Sequence, residues 1–271
     1  MDRNEIIRNL DNYKDTYVEE YNAYKLKSGT SLKAINAGIG LDIIRNYYGL
    51  LYFNEKGDWS KPKWRPNFSE RLFFLRHRIL GKILGKSHVF TEIDQKRLWT
   101  IRGGENYAFE SDTTESREYA RRFFTELFKK IPIAKDASII ELGCGSGRNL
   151  ALLKEMGFTN LRGVDFSPTQ VAYCVKSGFD AVEMNIAKLR FSEASFDLVY
   201  TNSVLLHVPP DAITNVLKEA VRISKGLVAF REKTYEVEDS EGHVNRYNYV
   251  RRLREIGCEG EIVGEFVVVK K

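Results

Sequence analysis

From residue 136 onward, short apolar runs alternate with stretches whose apolar side chains recur every three or four positions. Ser138–Leu142 (SIIEL) is a β-branched run of strand length. Residues 148–156 then put Leu150, Leu153 and Met156 on one helical face, and Gly157 stands where a glycine ends a helix. Residues 161–165 predict a second strand, and Ser167-Pro168 the cap and first turn of the next helix. Residues 180–184 and 195–200 predict strands three and four, and 226–231 a fifth. Asp211 is the expected cap of a helix reaching Ile223; 247–256 predicts a last helix, and 259–270 a hairpin around Gly264. Alternation with short links predicts an α/β fold: a mostly parallel sheet with helices on both faces and an antiparallel end.

Residues 1–135 have another texture. Residues 6–27 are tyrosine-rich at helical spacing (Tyr13, Tyr17, Tyr21, Tyr24), 41–53 are apolar and aromatic, and 58–67 form a Trp/Pro/Lys loop with Trp59 and Trp64. Residues 117–131 predict a helix feeding the first strand. The expected division is a mainly helical N-terminal cap or substrate-side extension, 1–115, followed by a cofactor-binding domain, 116–271.

The length of 271 residues suits this division, and 43% apolar with 29% charged residues excludes wholesale disorder. Three cysteines (Cys144, Cys174, Cys258) without a C-x-x-C pair speak against a disulfide framework and a cysteine-based metal site; no metal is expected. The charged opening MDRNEIIRNL has no apolar h-region and no run reaches ~18 apolar residues, so a cytoplasmic protein is expected. Charge is uneven. Residues 56–102 hold 12 basic and 4 acidic side chains, whereas residues 136–271 hold 17 and 19. A basic segment attracts anionic partners.

The chemistry centres on Glu141-Leu142-Gly143-Cys144-Gly145-Ser146-Gly147, between a strand and a helix. A glycine turn lets a ligand approach the backbone, and the helix start presents free N–H groups. Asp165 ends the next strand, where a carboxylate can accept both hydroxyls of a ribose. The dinucleotide pattern G-x-G-x-x-G fails, because its last position falls on Arg148 or Leu150. Acidic Glu141 suits a cationic adenosine ligand, S-adenosylmethionine (SAM), better than a pyrophosphate.

These segments resemble the class I SAM-dependent methyltransferases: ELGCGSGRN the first motif, VDFSP the second, Asn185-Ile186 the adenine-contacting segment, and SFDLVYTNSVLLHVPPD the fourth strand and active-site loop. VLKEAVRISKG resembles the helix and turn before strand five. The resemblance implies a Rossmann-like, mostly parallel seven-stranded sheet, SAM as cofactor and methyl transfer as activity. Within the superfamily it is nearest to small-molecule and glycan methylases. By position, Gly143, Gly145 and Gly147 line the methionine and ribose part, Asp165 holds the diol, and Phe166 lies against adenine. Asn185 stands where Asp is common, its amide oxygen still able to accept from the adenine amino group, and the backbone of Ile186 reads the ring edge. Thr201 and Asn202 sit under the methyl group, and Tyr107 closes over the methionine end.

Transfer from a sulfonium is an in-line displacement, so the protein must align the nucleophile and remove its proton. Thr201-Asn202-Ser203-Val204 lacks the Asp/Asn-Pro-Pro-aromatic motif of exocyclic-amine methylases of nucleic acids, and the Pro-Cys of cytosine carbon-5 methylases is missing too. An oxygen or nitrogen of a small-molecule or glycan acceptor is preferred; an RNA or tRNA target and a non-catalytic SAM-fold partner protein stay open. His207, in the loop after strand four, is the candidate general base or a structural residue of its turn. Arg102, Glu232, Tyr235 and His243 are candidates for the substrate side.

In the stretch from Arg71 to Lys86, apolar Leu72, Leu75, Ile79 and Ile83 share a helical face, and Arg71, Arg78, Lys82 and Lys86 lie largely on another. The expected role is packing on the catalytic sheet with the basic side solvated; grip on an anionic substrate, RNA contact and peripheral membrane contact are the alternatives.

Overall fold

A computed structural model describes residues 68–84, 88–104, 107–108 and 114–270 of the chain. The expectations for 6–27, 41–53 and 58–67, with Trp59, Trp64 and Lys86, lie outside these residues. The strands are β1 (Ser138–Leu142), β2 (Asn160–Asp165), β3 (Asp180–Glu183), β4 (Phe196–Asn202), β5 (Ser224–Arg231), β6 (Asp239–Glu241), β7 (Val244–Arg246), β8 (Gly260–Val263) and β9 (Phe266–Lys270). The helices are α1 (Phe68–Leu84), α2 (Glu92–Arg102), α3 (Thr114–Lys130), α4 (Arg148–Glu155), α5 (Pro168–Lys176), α6 (Ile213–Ile223) and α7 (Tyr249–Glu255).

Seven strands form one sheet in the order β3-β2-β1-β4-β5-β9-β8, with β6 and β7 apart as a hairpin. The β1–β5 pairings are parallel, and β9 runs antiparallel to both β5 and β8. Strict alternation along the central strands explains the two helical layers. Leu198 and Tyr200 of β4 and Leu227 and Ala229 of β5 face Phe123, Phe124 and Leu127 of α3 and Leu152 and Leu153 of α4. Val199, Val228 and Phe230 face the other way, onto Ile213, Val216, Leu217 and Ala220 of α6. The sheet order reverses at β1, flanked by β2 and β4, and a ligand crevice belongs at the carboxyl ends of these strands.

Local chemistry sets the helix ends. Ser167 Oγ accepts from Gln170 N, with Pro168 in the first turn of α5. Gly157 follows α4 with φ +90°, a left-handed exit open to glycine. Asp211 does not cap α6. The cap position is Ala212, without a side-chain bond, and Pro209 O accepts the N–H groups of Ala212 and Ile213 in its stead.

Two features lie beyond the sequence expectations. α2 is held at its start by a capping box in which Thr91 Oγ1 accepts from Asp94 N and Asp94 Oδ2 from Thr91 N. The polar stretch around His243 forms the β6–β7 hairpin. Its turn is fastened to the segment before α2 by Phe90 N→Gly242 O at 2.7 Å and Gly242 N→His88 O at 2.8 Å.

α1 corrects the packing expectation. It is anchored by buried Phe73 and His77, not by the Leu72/Leu75/Ile79/Ile83 face. Phe73 joins Phe90 and Leu98 in a small core shared with α2. No helix among the described residues is long and apolar enough to cross a membrane.

Candidate active site

The turn after β1 is folded onto the end of β2. Gly143 N and Cys144 N both donate to Val164 O, at 2.7 and 2.9 Å. Gly143 has φ +77°, and a Cβ there would stand 2.5 Å from the Val204 methyl carbons, so only glycine fits beneath the post-β4 loop. Asp165 closes the arrangement: its Oδ2 accepts from Gly145 N at 3.0 Å and its Oδ1 from Ser167 N at 2.9 Å.

The resulting crevice contains about 980 Å³ of space free of protein atoms, its open solvent mouth included. Its walls bring together Tyr107, Glu141, Gly143, Gly145, Asp165, Phe166, Asn185, Ile186, Asn202 and His207, all expected from the sequence.

The donor set suits a cationic adenosine ligand. Glu141 is buried with Oε1 accepting from Asn149 Nδ2 at 2.6 Å, while its Oε2 has no donor at bonding distance; the Tyr200 hydroxyl lies beside it. Burial pushes the Glu141 carboxyl up to about 7. A cation at that wall would supply the missing charge. Burial also raises Asp165 to about 6, against the backbone donors that favour its ionised form. Each Asp165 oxygen accepts one N–H, which leaves lone pairs for a diol. Asn185 Oδ1 accepts from Ala187 N at 2.8 Å, so one lone pair of that oxygen is taken by the turn.

The other expected residues stand elsewhere. Gly147 begins α4 and packs on Cys174, whose Sγ would be 2.7 Å from a Cβ. Thr201 is fully buried and donates to Glu232 Oε1 at 3.0 Å. Glu232 is buried behind the wall: the same oxygen also accepts from Val204 N at 2.8 Å and Leu205 N at 3.1 Å. Burial lifts its carboxyl to about 7. It staples the post-β4 loop to β5 and does not face the crevice. Tyr235 sits between Lys233 and Arg246, outside the lining, with its N–H on Tyr247 O. Arg102 stacks over the Trp99 ring at 5.3 Å.

His207 is on the wall, and two elements hold it. Its Nδ1 lies 2.9 Å from the carbonyl oxygen of His243, so Nδ1 carries the proton and Nε2 is left as the acceptor. The His243 ring stacks on it at 5.5 Å, and Trp99 meets it edge-on at 4.8 Å. Burial lowers the His207 pKa to about 4, and burial together with Arg102 lowers that of His243. At neutral pH His207 is uncharged.

Trp99 and Gln170 are wall residues that the sequence reading passed over. Trp99 comes with α2, whose last carbonyls are capped from the start of α5: Ser167 Oγ donates to Trp99 O at 3.1 Å and Thr169 Oγ1 to Thr100 O at 2.9 Å. Gln170 Oε1 accepts from Gly104 N at 3.1 Å. The available signal was T-E-I-D at 91–94, a capping-box pattern heading a helix that carries one tryptophan.

A family model described as a methyltransferase domain matches residues 140–230. No curated protein matches the chain. Among solved structures, the chain is similar to the PH0226 protein of Pyrococcus horikoshii at 18% identity, covering 67% of this chain and 97% of that one with a TM-score of 0.48. It is similar to phosphoethanolamine N-methyltransferase 1 of Haemonchus contortus at 15% identity, 67% and 50% coverage and a TM-score of 0.49. It is also similar to the sugar N-methyltransferase KedS8 of a Streptoalloteichus species at 16% identity, 65% and 92% coverage and a TM-score of 0.45. Residues 140–230 match a methyltransferase domain, and around them the strand order and the glycine turn sealed by Asp165 build the class I SAM-dependent methyltransferase fold.

Proposed function

We propose that the enzyme methylates an oxygen or nitrogen of a small-molecule or carbohydrate acceptor seated between Trp99, His207, Asn202 and Ser203. The observation that supports this most is the fixed tautomer of His207, an uncharged imidazole on the crevice wall with Nε2 left to accept. When bound, the donor supplies a methyl group already activated on a sulfonium.

His207 Nε2 accepts the hydrogen bond of the acceptor O–H or N–H and orients its lone pair. As the new bond forms, positive charge builds on the nucleophile and its proton becomes strongly acidic. An imidazole with a pKa of about 4 can then receive it. Its resting neutrality also avoids repulsion of a neighbouring cation. On the other side, Arg231 Nη1 donates to Asn202 Oδ1 at 2.9 Å, leaving the Asn202 N–H groups for an acceptor oxygen. Ser203 holds φ +57°, a costly conformation for a side-chain-bearing residue that aims this loop.

The test is mass spectrometry of hydroxylated and aminated metabolites, sugars and RNA incubated with enzyme and SAM. A small molecule or glycan should gain a methyl group with the wild type and far less with His207→Ala. Methylation of RNA alone, or equal turnover by the variant, would overturn the reading.

A further inference from the structure

α1 carries a surface that the methyl-transfer reading does not use. At 100° per residue, Phe68, Leu72, Leu75, Ile79 and Ile83 form one stripe opposite the buried anchors Phe73 and His77. The stripe faces solvent: Phe68 is 77% exposed, Ile83 72%, Leu72 49%, Ile79 46% and Leu75 40%. A contiguous exposed apolar strip of this kind marks an interaction site.

The charges around it select the partner. Arg71, Arg78 and Lys82 flank the stripe on one side and Arg76 on the other, while Glu70 is the helix's single carboxylate and lies toward the anchored side. A second copy of α1 would bring like charge against like. A sheet of anionic headgroups over acyl chains matches both features together, with apolar side chains entering and cations at headgroup level. We infer that α1 docks the enzyme on an anionic lipid bilayer. It lies along the surface through the Leu72/Leu75/Ile79/Ile83 stripe, while Phe73, with Phe90 and Leu98, couples it to α2 and the crevice wall.

The test is sedimentation of the full-length protein with vesicles of phosphatidylcholine alone or mixed with phosphatidylglycerol. The wild type should pellet with the anionic vesicles and be released in part by salt. The double variant Leu75→Glu/Ile79→Glu, and separately Arg78→Glu/Lys82→Glu, should fall to the level seen with neutral vesicles. Both should retain the wild-type melting temperature and S-adenosylhomocysteine affinity, which read folding and the crevice independently of lipid. Absence of wild-type binding, or unchanged binding by Leu75→Glu/Ile79→Glu, would overturn the inference. A fall in melting temperature or oligomeric state in that variant would overturn it too, since the stripe would then be covered by protein.

Discussion

The backbone carbonyl of His243 fixes the tautomer of His207, accepting the hydrogen bond of Nδ1–H at 2.9 Å while the two imidazoles stack with 5° between their planes. Gln95 Nε2 donates to the same carbonyl at 2.9 Å, so α2, the β6–β7 hairpin and the post-β4 loop meet at one oxygen. His207→Ala should lower kcat by roughly 10²-fold or more, the usual worth of a positioned proton acceptor, and leave S-adenosylhomocysteine affinity near wild type. Because the imidazole titrates near 4, kcat at saturating SAM should show no histidine-type step between pH 5.5 and 7.5. Steady-state kinetics across that range checks both; a step near 6.5 that disappears in the variant contradicts the assignment.

Glu141 makes cofactor affinity depend on pH. Its folded pKa of about 7 means that it holds a proton at pH 6 in the empty site, and a cationic ligand favours the ionised form. Binding therefore releases a proton below that value, and affinity for SAM should rise from pH 6 to 8. Calorimetry in buffers of different ionisation heat measures the release. Glu141→Gln should bind more weakly at pH 8 and lose most of the pH slope.

Glu232 tests the stapled loop. Glu232→Ala leaves the Val204 and Leu205 N–H groups and the Thr201 hydroxyl without their shared acceptor. A loss on the order of 3 kcal/mol in stability is expected, seen as a melting temperature lower by several degrees. Turnover should fall more than SAM affinity, since the loop carries Ser203 and His207 next to Asn202 at the end of β4, while the proposed cofactor contacts Gly145 and Asp165 follow β1 and end β2. An unchanged melting temperature would sink this account of Glu232.

Gly143→Ala combines a left-handed backbone with a 2.5 Å clash against Val204. The variant should lose SAM binding together with several degrees of melting temperature. Gly178→Ala is the control: it has φ +85° and open space around its Cβ, so it should cost only backbone strain and leave SAM binding intact.

The central architecture was legible because periodicity and punctuation agreed. SIIEL, the glycine turn and Ser167-Pro168 each dictate a local conformation, and those conformations make the crevice floor. The residues that were misplaced depend on partners distant in sequence. Glu232 leaves β5 at the ligand end, yet its carboxylate turns inward to N–H groups 27 and 28 residues earlier. The α1 stripe has the spacing of a buried face, but Phe73 and His77, on the opposite side, found the partners. The Trp99 wall was hidden because α2 is mostly polar, and its place is set by hydroxyls of α5 nearly 70 residues away. His243 contributes through its backbone carbonyl, which no residue type announces.

The account rests on a SAM-sized cation occupying the crevice with its ribose on Asp165. Calorimetric titration of wild type, Asp165→Asn and Asp165→Ala with SAM and S-adenosylhomocysteine tests this most directly. One site per chain is predicted for the wild type, with binding weakened by about 1.5–3 kcal/mol in Asp165→Ala and by less in Asp165→Asn, which keeps an acceptor oxygen. No binding to the folded wild type, or equal affinity in all three proteins, would contradict it.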